Sequence, residues 1–198
     1  LYQMEINNLE KIIPLLNFLE EGWAYEVLIL QRKKENPESI NSQNGRIVKS
    51  YLISSLEGLS SKMGEMILLS EVFNARVYIK LQPYNLNKLG FKLMETLLQK
   101  IQNKDFSYQG LVTKAIGNMS PEYKVWIIDI DEVKYVEAVK ETISHCGGIV
   151  FVELPTPNGI HLVTNPFDTS KFMTFKNVCY VCEIKKNNPT ILYSNIKQ

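Results

Sequence analysis

VWIIDID, residues 125–131, is an apolar run that ends in two carboxylates one residue apart. Side chains on a strand alternate between faces. As a strand, the run puts Trp126, Ile128 and Ile130 on one face and Val125, Ile127, Asp129 and Asp131 on the other. Two like charges held roughly 7 Å apart at Cα, as a two-residue strand step implies, repel unless something positive lies between them. A divalent metal ion is one candidate for that charge. The plainer alternative is that Asp131 caps a helix opening at Glu132 and that Asp129 is a strand-end charge in water.

Outward from this strand, Val133, Val136, Val139, Ile143 and Cys146 fall at helical spacing. Glu132, Lys134, Glu137, Lys140 and Glu141 stay outside that stripe, and Gly147 and Gly148 terminate the helix. Residues 149–154 and 160–164 read as strands about a turn with two prolines, and residues 178–185 as a further strand. The C-terminal half is thus β-α-β-β-β, an α+β arrangement of the ferredoxin-like or RNA-recognition-motif kind. Upstream, residues 7–20 show a helical pattern broken by Pro14 and closed by Glu21 and Gly22. Residues 24–31 and 46–54 read as partner strands about a polar loop, residues 35–45, that is either disordered or a lid. Ser54 and Glu57 form a capping box for a helix reaching about Phe73. Residues 76–81 make a strand, and Asn85 caps a helix whose face is Leu86, Leu89, Leu93, Leu97 and Ile101. The expected organisation is one domain: a small α/β N-terminal lobe over 1–102, a connecting region over 103–120 and a motif-bearing lobe over 121–198.

A chain of 198 residues is long enough for one core, or for one core shared by two small lobes. The net charge of +1 does not by itself select a polyanionic partner. Its distribution is more telling, because residues 169–198 hold Lys171, Lys176, Lys185, Lys186 and Lys197 against Glu183 alone. A basic C-terminal third suits a phosphate-bearing ligand, or is simply a solvated face. Cys146, Cys179 and Cys182 are odd in number, which argues against a disulfide framework. A Cys3His zinc site with His145 would need a turn at C-Y-V-C, where Tyr180 and Val181 favour strand. No apolar run approaches the roughly 18 residues of a membrane span, and no secretory pattern opens the chain. The expectation is a soluble, intracellular (cytoplasmic) protein with no membrane partner. Opening on Leu1 rather than Met, the sequence is compatible with a piece of a longer protein.

Three further positions carry chemistry. His161 follows a Pro-Asn-Gly turn and, on a strand over 159–164, shares a face with Gly159 and Val163. Gly159 would let a large ligand approach the backbone, and Asn158, the turn amides and His161 can donate to phosphate oxygens. The competing reading is a histidine packed at a sheet edge. In VCEIKK, Glu183 and Lys185 share a face, so Glu183 can complete a metal site while Lys185 or Lys186 holds phosphate or nucleic-acid backbone. A cross-strand ion pair on a wet face is the alternative. Arg76, at the head of its strand, is a weaker basic candidate.

Taken together, these elements resemble the three motifs of archaeo-eukaryotic primases, including the primase-polymerases of phages and plasmids. WIIDID matches the first motif, GIH in PNGIHLVT the second and VCE in YVCEIKK the third, over residues 25–193. The second motif usually carries Ser where Gly159 stands, and the third usually carries Asp where Glu183 stands. The resemblance implies a primase-polymerase-like catalytic core that polymerises nucleoside triphosphates on a nucleic-acid template, in the replication of a phage or mobile element. Asp129, Asp131 and Glu183 would hold two Mg²⁺ or Mn²⁺ ions, with Asp129, Asp131 and His161 as the catalytic set. Asn158, Gly159, His161, Lys185, Lys186 and Arg76 would bind the nucleotide. A DNA template and a helicase or other replication protein are the implied partners.

Two other classes remain open. A DxD after an apolar strand also occurs in nucleotide-sugar glycosyltransferases. Phosphatases of the haloacid-dehalogenase kind fit poorly, because the residues after Asp131 supply no further acidic pair. The non-enzyme alternative is a nucleic-acid or nucleotide-binding module, a degenerate primase fold, presenting Tyr180 and Tyr193 on an open sheet.

Overall fold

The computed structural model describes residues 5–18, 22–38 and 45–196. β1 (Ile6–Asn7) and α1 (Leu9–Ile12) lead through a 3-10 turn at Ile13–Leu15 to β2 (Trp23–Gln31), β3 (Arg46–Ile53) and α2 (Leu56–Val72). Then come β4 (Arg76–Ile79), β5 (Tyr84–Asn85), α3 (Leu86–Gln102) and α4 (Leu111–Gly117). The remainder is β6 (Trp126–Ile130), α5 (Val136–His145), β7 (Val150–Pro155), β8 (Ile160–Thr164), α6 (Thr169–Phe172), α7 (Lys176–Cys179), β9 (Glu183–Lys185) and β10 (Thr190–Ser194). The class is mixed α+β, and every strand pair is antiparallel.

The strands form two sheets. The first has the order β1-β10-β4-β2-β3, with β5 paired to the start of β2; the second has the order β7-β8-β6-β9. Alternation divides the first sheet cleanly. Tyr25, Val27, Ile29, Val77 and Ile79 pack in one core with Leu59, Met63 and Met66 of α2, while Leu28, Tyr78 and Ile191 cluster separately. In the second sheet Trp126, Ile128, Ile130 and Leu162 pack with Val136, Val139 and Ile143 of α5 and with Phe167 and Phe172. Full burial of a side chain such as Ile128 or Ile143 contributes about 2–3 kcal/mol each. This leaves Ile127 and Asp129 on the opposite face.

The two sheets are tied together along that side. Leu154 and Val163 of the second sheet belong to the core of the first. Buried Asn8 donates its amide to the carbonyls of Pro155 (3.0 Å) and Ile191 (2.9 Å), one from each sheet. Gln82, just beyond β4 of the first sheet, donates to the carbonyls of Val125 (2.6 Å) and Lys186 (2.9 Å), which flank β6 and β9 of the second. A buried amide that satisfies two carbonyls fixes their separation, because releasing either leaves an unpaired polar group.

Several local expectations are corrected. The first helical pattern yields only α1 and a 3-10 turn, since Pro14 stands in that turn and Leu16 turns extended. Ser55 rather than Ser54 caps α2, accepting from the Gly58 amide. Asn85 caps α3 as expected, through the amides of Asn87 and Lys88. The connecting region contains α4, preceded by Gly110 at φ 71°. The strand expected over 178–185 shrinks to β9, because residues 176–179 turn helically as α7 with Val178 buried in the second core. Val133 lies outside the α5 core face, in a 3-10 turn. The last strand, β10, leaves the motif-bearing sheet and inserts between β1 and β4 of the first. The expected helix closure at Glu21 and the tip of the 35–45 loop fall at residues 19–21 and 39–44, outside the described residues.

Candidate nucleotide-binding cleft

The second sheet brings the three motifs into one register. Asp129 on β6 stands directly opposite His161 on β8 and Glu183 on β9. Directly opposed residues of antiparallel strands share a face. A carboxylate is thus flanked on the same face by an imidazole on one side and a second carboxylate on the other, from segments more than 20 residues apart in sequence. Lys185, two residues beyond Glu183, lies on that face as well. It pairs with Asp129, and its ammonium is 3.5 Å from the Glu183 carboxylate.

His161 is buried, and both of its ring nitrogens are engaged. Nε2 lies 3.3 Å from Asp129 Oδ1, and Nδ1 lies 2.9 Å from Thr190 Oγ1 on β10. A carboxylate can only accept, so Nε2 carries the proton toward Asp129, and in the neutral ring the Thr190 hydroxyl donates to Nδ1. The relay Thr190–His161–Asp129–Lys185 crosses from the first sheet to the second. Burial pushes the Asp129 carboxyl up, but the hydrogen bonds and charges of His161 and Lys185 outweigh it and hold the group well below the usual carboxylate range. For Lys185, burial lowers the value, while Asp129 and then Glu183 raise it further, to a net increase.

Above this relay is a cleft of about 410 Å³ between the sheets. Asp129, Asp131, His161, Lys185 and the turn residues Thr156–Asn158 line one side; Leu30, Arg32, Lys34, Arg76, Tyr78 and Ile191 line the other. Four permanent cations and two carboxylates stand in this lining, a balance that favours an anionic ligand. Arg76 is buried and paired with Glu35, which also lies 3.9 Å from Arg32. Asp131, Asp129 and Glu183 share a second hollow of about 320 Å³ on the other side of the strand end.

Of the positions read from the sequence, Asp129, Asp131, His161, Asn158, Lys185 and Arg76 meet in the cleft, and Glu183 joins the two aspartates at its edge. Lys186 does not: its ammonium sits 4.8 Å over the Trp126 ring, facing a separate hollow lined also by Lys80 and Lys124. Gly159 serves a different purpose from the one expected. A Cβ there would lie 2.0 Å from the Ile130 carbonyl oxygen and 2.8 Å from Asp131 Cα, so it is the acidic strand, not a ligand, that approaches its backbone. Asp131 caps no helix: residue 132 precedes the 3-10 turn, and Tyr135 precedes α5, neither with a side-chain cap. Arg32 and Lys34 were not singled out as site residues. The signal was the basic run that continues β2, since Arg32 follows Leu28 and Leu30 at the two-residue strand period.

Asp129, Asp131 and Glu183 supply three carboxylates, the donor type of hard divalent cations, and the Lys185 ammonium lies between Asp129 and Glu183. Among the described residues no three His, Cys, Asp or Glu side chains already converge on one ion position. This holds for the cysteines too, which are all free. No described helix is long and apolar enough to cross a membrane. Tyr193 is buried, whereas Tyr180 is open to solvent. Comparison of the chain with protein-family models, with curated proteins and with solved structures finds no match.

Proposed function

We propose that the cleft binds a nucleoside triphosphate and that the protein is a metal-dependent nucleotidyltransferase of the primase-polymerase kind, extending a nucleic acid on a DNA template. The observation that carries this reading is the register of Glu183, Asp129 and His161 across three adjacent strands beneath a cation-lined cleft. The second sheet also supports it: β6-α5-β7-β8-(α6, α7)-β9 with strand order β7-β8-β6-β9 is the connectivity of a ferredoxin-like or RNA-recognition-motif half. The first sheet would be the small α/β lobe of that core.

Asp129, Asp131 and Glu183 are the side chains that would hold Mg²⁺ or Mn²⁺. Two such ions, when bound, lower the pKa of an attacking 3′-hydroxyl and neutralise the triphosphate. The chain's own groups do the rest. Arg32, Lys34 and Arg76 offer positive charge from the first sheet, and the guanidinium of Arg76 is held in place by Glu35. Lys185 can move from Asp129 to a phosphate oxygen, since both partners are anions of the same site. His161, fixed by Thr190, orients Asp129, and it can donate to a phosphate only by releasing that carboxylate. A helicase or another replication protein is the partner class this activity calls for.

One observation favours a second reading. Because Lys185 already neutralises Asp129, the cleft can serve as a nucleotide-binding module without turnover. Calorimetric titration of ATP with and without Mn²⁺, on the wild type and on Asp129→Ala/Asp131→Ala, separates the two. The first reading expects Mn²⁺-dependent binding that the double variant loses, followed by nucleotide incorporation on a primed template. Binding that ignores Mn²⁺ and survives the substitutions selects the second, and no binding to either protein overturns both.

A further inference from the structure

Helix α3 has two apolar sides, and the described residues cover one of them. Leu89, with Leu86 and Leu93, packs against Tyr84, Ala115 and Ile116. On its other side Phe91, Met94, Leu98 and Ile101 are 70%, 60%, 57% and 49% exposed. Leu97 and Ile101, which the periodicity assigned to the inward face, thus lie outward. Steps of three, four and three residues align Phe91, Met94, Leu98 and Ile101 along one seam of the helix, the spacing of a packed helix pair.

Three features say what covers this seam. Its spacing is the same read from either end, so it is self-complementary about a two-fold axis between Met94 and Leu98. In an antiparallel pair Phe91 meets the partner's Ile101, and Met94 meets the partner's Leu98. The lysines of the helix are all paired: Lys88 with Glu122, Lys92 with Glu95 and Lys100 with Asp105. A basic face seeking an anionic membrane or an acidic partner would leave those ammoniums unpaired. The exposed apolar area of the seam, with Leu97 at its edge, is roughly 500 Å² per copy, within the upper range of what a monomer leaves open. Two copies would bury up to roughly 1,000 Å², the threshold of a specific interface.

We propose that the protein is a homodimer in solution, paired through the exposed seams of two antiparallel α3 helices. Each cleft then stands on its own lobe pair, so the dimer is independent of the chemistry proposed above. Sedimentation equilibrium of the full chain from about 1 to about 100 µM tests it. The wild type is expected to have the mass of two copies at the upper end and to dissociate on dilution. Phe91→Glu/Leu98→Glu should weaken association by about 100-fold or more while its far-UV circular dichroism stays unchanged, since both side chains are outside the core. Met94→Cys/Leu98→Cys, oxidised, should give a covalent dimer through the 94–98 pairing. Three results overturn the proposal: a wild type that stays monomeric at the highest concentration, a dimer that survives the glutamates, or a monomer that floats with phosphatidylcholine vesicles through this face.

Discussion

Replacing Gly159 with alanine is the most direct test of how the acidic strand is held. The added methyl would stand 2.0 Å from the Ile130 carbonyl oxygen, 2.8 Å from Asp131 Cα and 2.9 Å from the Asp131 carbonyl carbon. Ordinary contact begins near 3.4 Å, so one strand end must move by more than an ångström. All three atoms are backbone, and no side chain can swing away to absorb the clash. Overpacking typically costs about 1–3 kcal/mol, and a clash between two backbones belongs at the upper end of that range, about 3 kcal/mol. For a chain of this size each kcal/mol lowers the melting temperature by roughly 2–4 °C, so the expected drop is roughly 6–12 °C. Thermal melts followed by circular dichroism read this directly. Gly64→Ala is the control: Gly64 lies in α2 with nothing within 4 Å of its virtual Cβ, and alanine there should stabilise by about 0.5–1 kcal/mol. Because the displaced atoms carry Asp131, Gly159→Ala should also weaken Mn²⁺-dependent nucleotide binding beyond its effect on stability. A Gly159→Ala protein that melts with the wild type and binds normally would refute the close approach of β8 to Asp131. On the primase-like reading proposed above, the same contact is a physical reason for glycine rather than serine at this position.

Two further perturbations probe the joints of the fold. Asp129 has a depressed carboxyl pKa in the folded state, so its contribution to stability is complete above the ordinary carboxylate value of 3.8 and is lost progressively as pH falls from there through the depressed folded-state value. The urea midpoint of the wild type should therefore exceed that of Asp129→Asn at pH 7, and the gap should begin to narrow once the titration is carried below 3.8; a gap independent of pH would show that the ion pair with Lys185 adds nothing. Asn8→Ala removes the amide shared by the Pro155 and Ile191 carbonyls and should cost about 2–3 kcal/mol, with faster exchange of amides in β1 and β10 in hydrogen–deuterium measurements.

Those parts of the fold that rest on local alternation were legible. β2, β6 and β8 each have a face that a core must cover, and α2 and α5 carry stripes that fit those faces, so the limits of the three strands and of α2 and the end of α5 were read to within a residue or two, whereas α5 opens at Val136 and not at Glu132 because residues 133–135 form a 3-10 turn. Residues 176–179 were misread for the opposite reason. Val178, Cys179 and Tyr180 suit a strand in isolation, yet Val178 is buried in the second core from a helical turn, a tertiary demand that outweighs propensity. β10 went unread although residues 190–194 are apolar, because nothing local says that it pairs with β4 and β1, more than 100 residues away. Its absence hid the contact that matters most for the site, Thr190 to His161. Arg32 and Lys34 were visible as charges, but only the apposition of the two sheets makes them wall residues of the same cleft as Asp129. The same holds for α3: a helix with apolar residues on both sides cannot reveal from sequence which side its own chain will cover.

The register at Asp129 follows from burial rather than from the charged groups themselves. Ile128 and Ile130 must face α5, so a slip of one residue on β6 would turn them outward and bury Asp129 instead, which is far less favourable. Once that face is settled, Asp129 is carried to the side of Ile127 and Val163, opposite whatever β8 and β9 place there. What they place there is one acid and one histidine, with a lysine a strand step further on. Left alone, two carboxylates on neighbouring strands would weaken the pairing of β6 with β9. Lys185 offsets that repulsion from within the same strand, and His161 supports Asp129 from the other side. A strand-end charge reaching water needs neither partner, whereas Asp129 is half-buried and has both. The core therefore forces together groups that repel, and the sequence answers with cations rather than by replacing the acids. An Asn or Thr at 129 would have packed without needing Lys185, and on the nucleotide-binding reading proposed above the charge is there for the ligand.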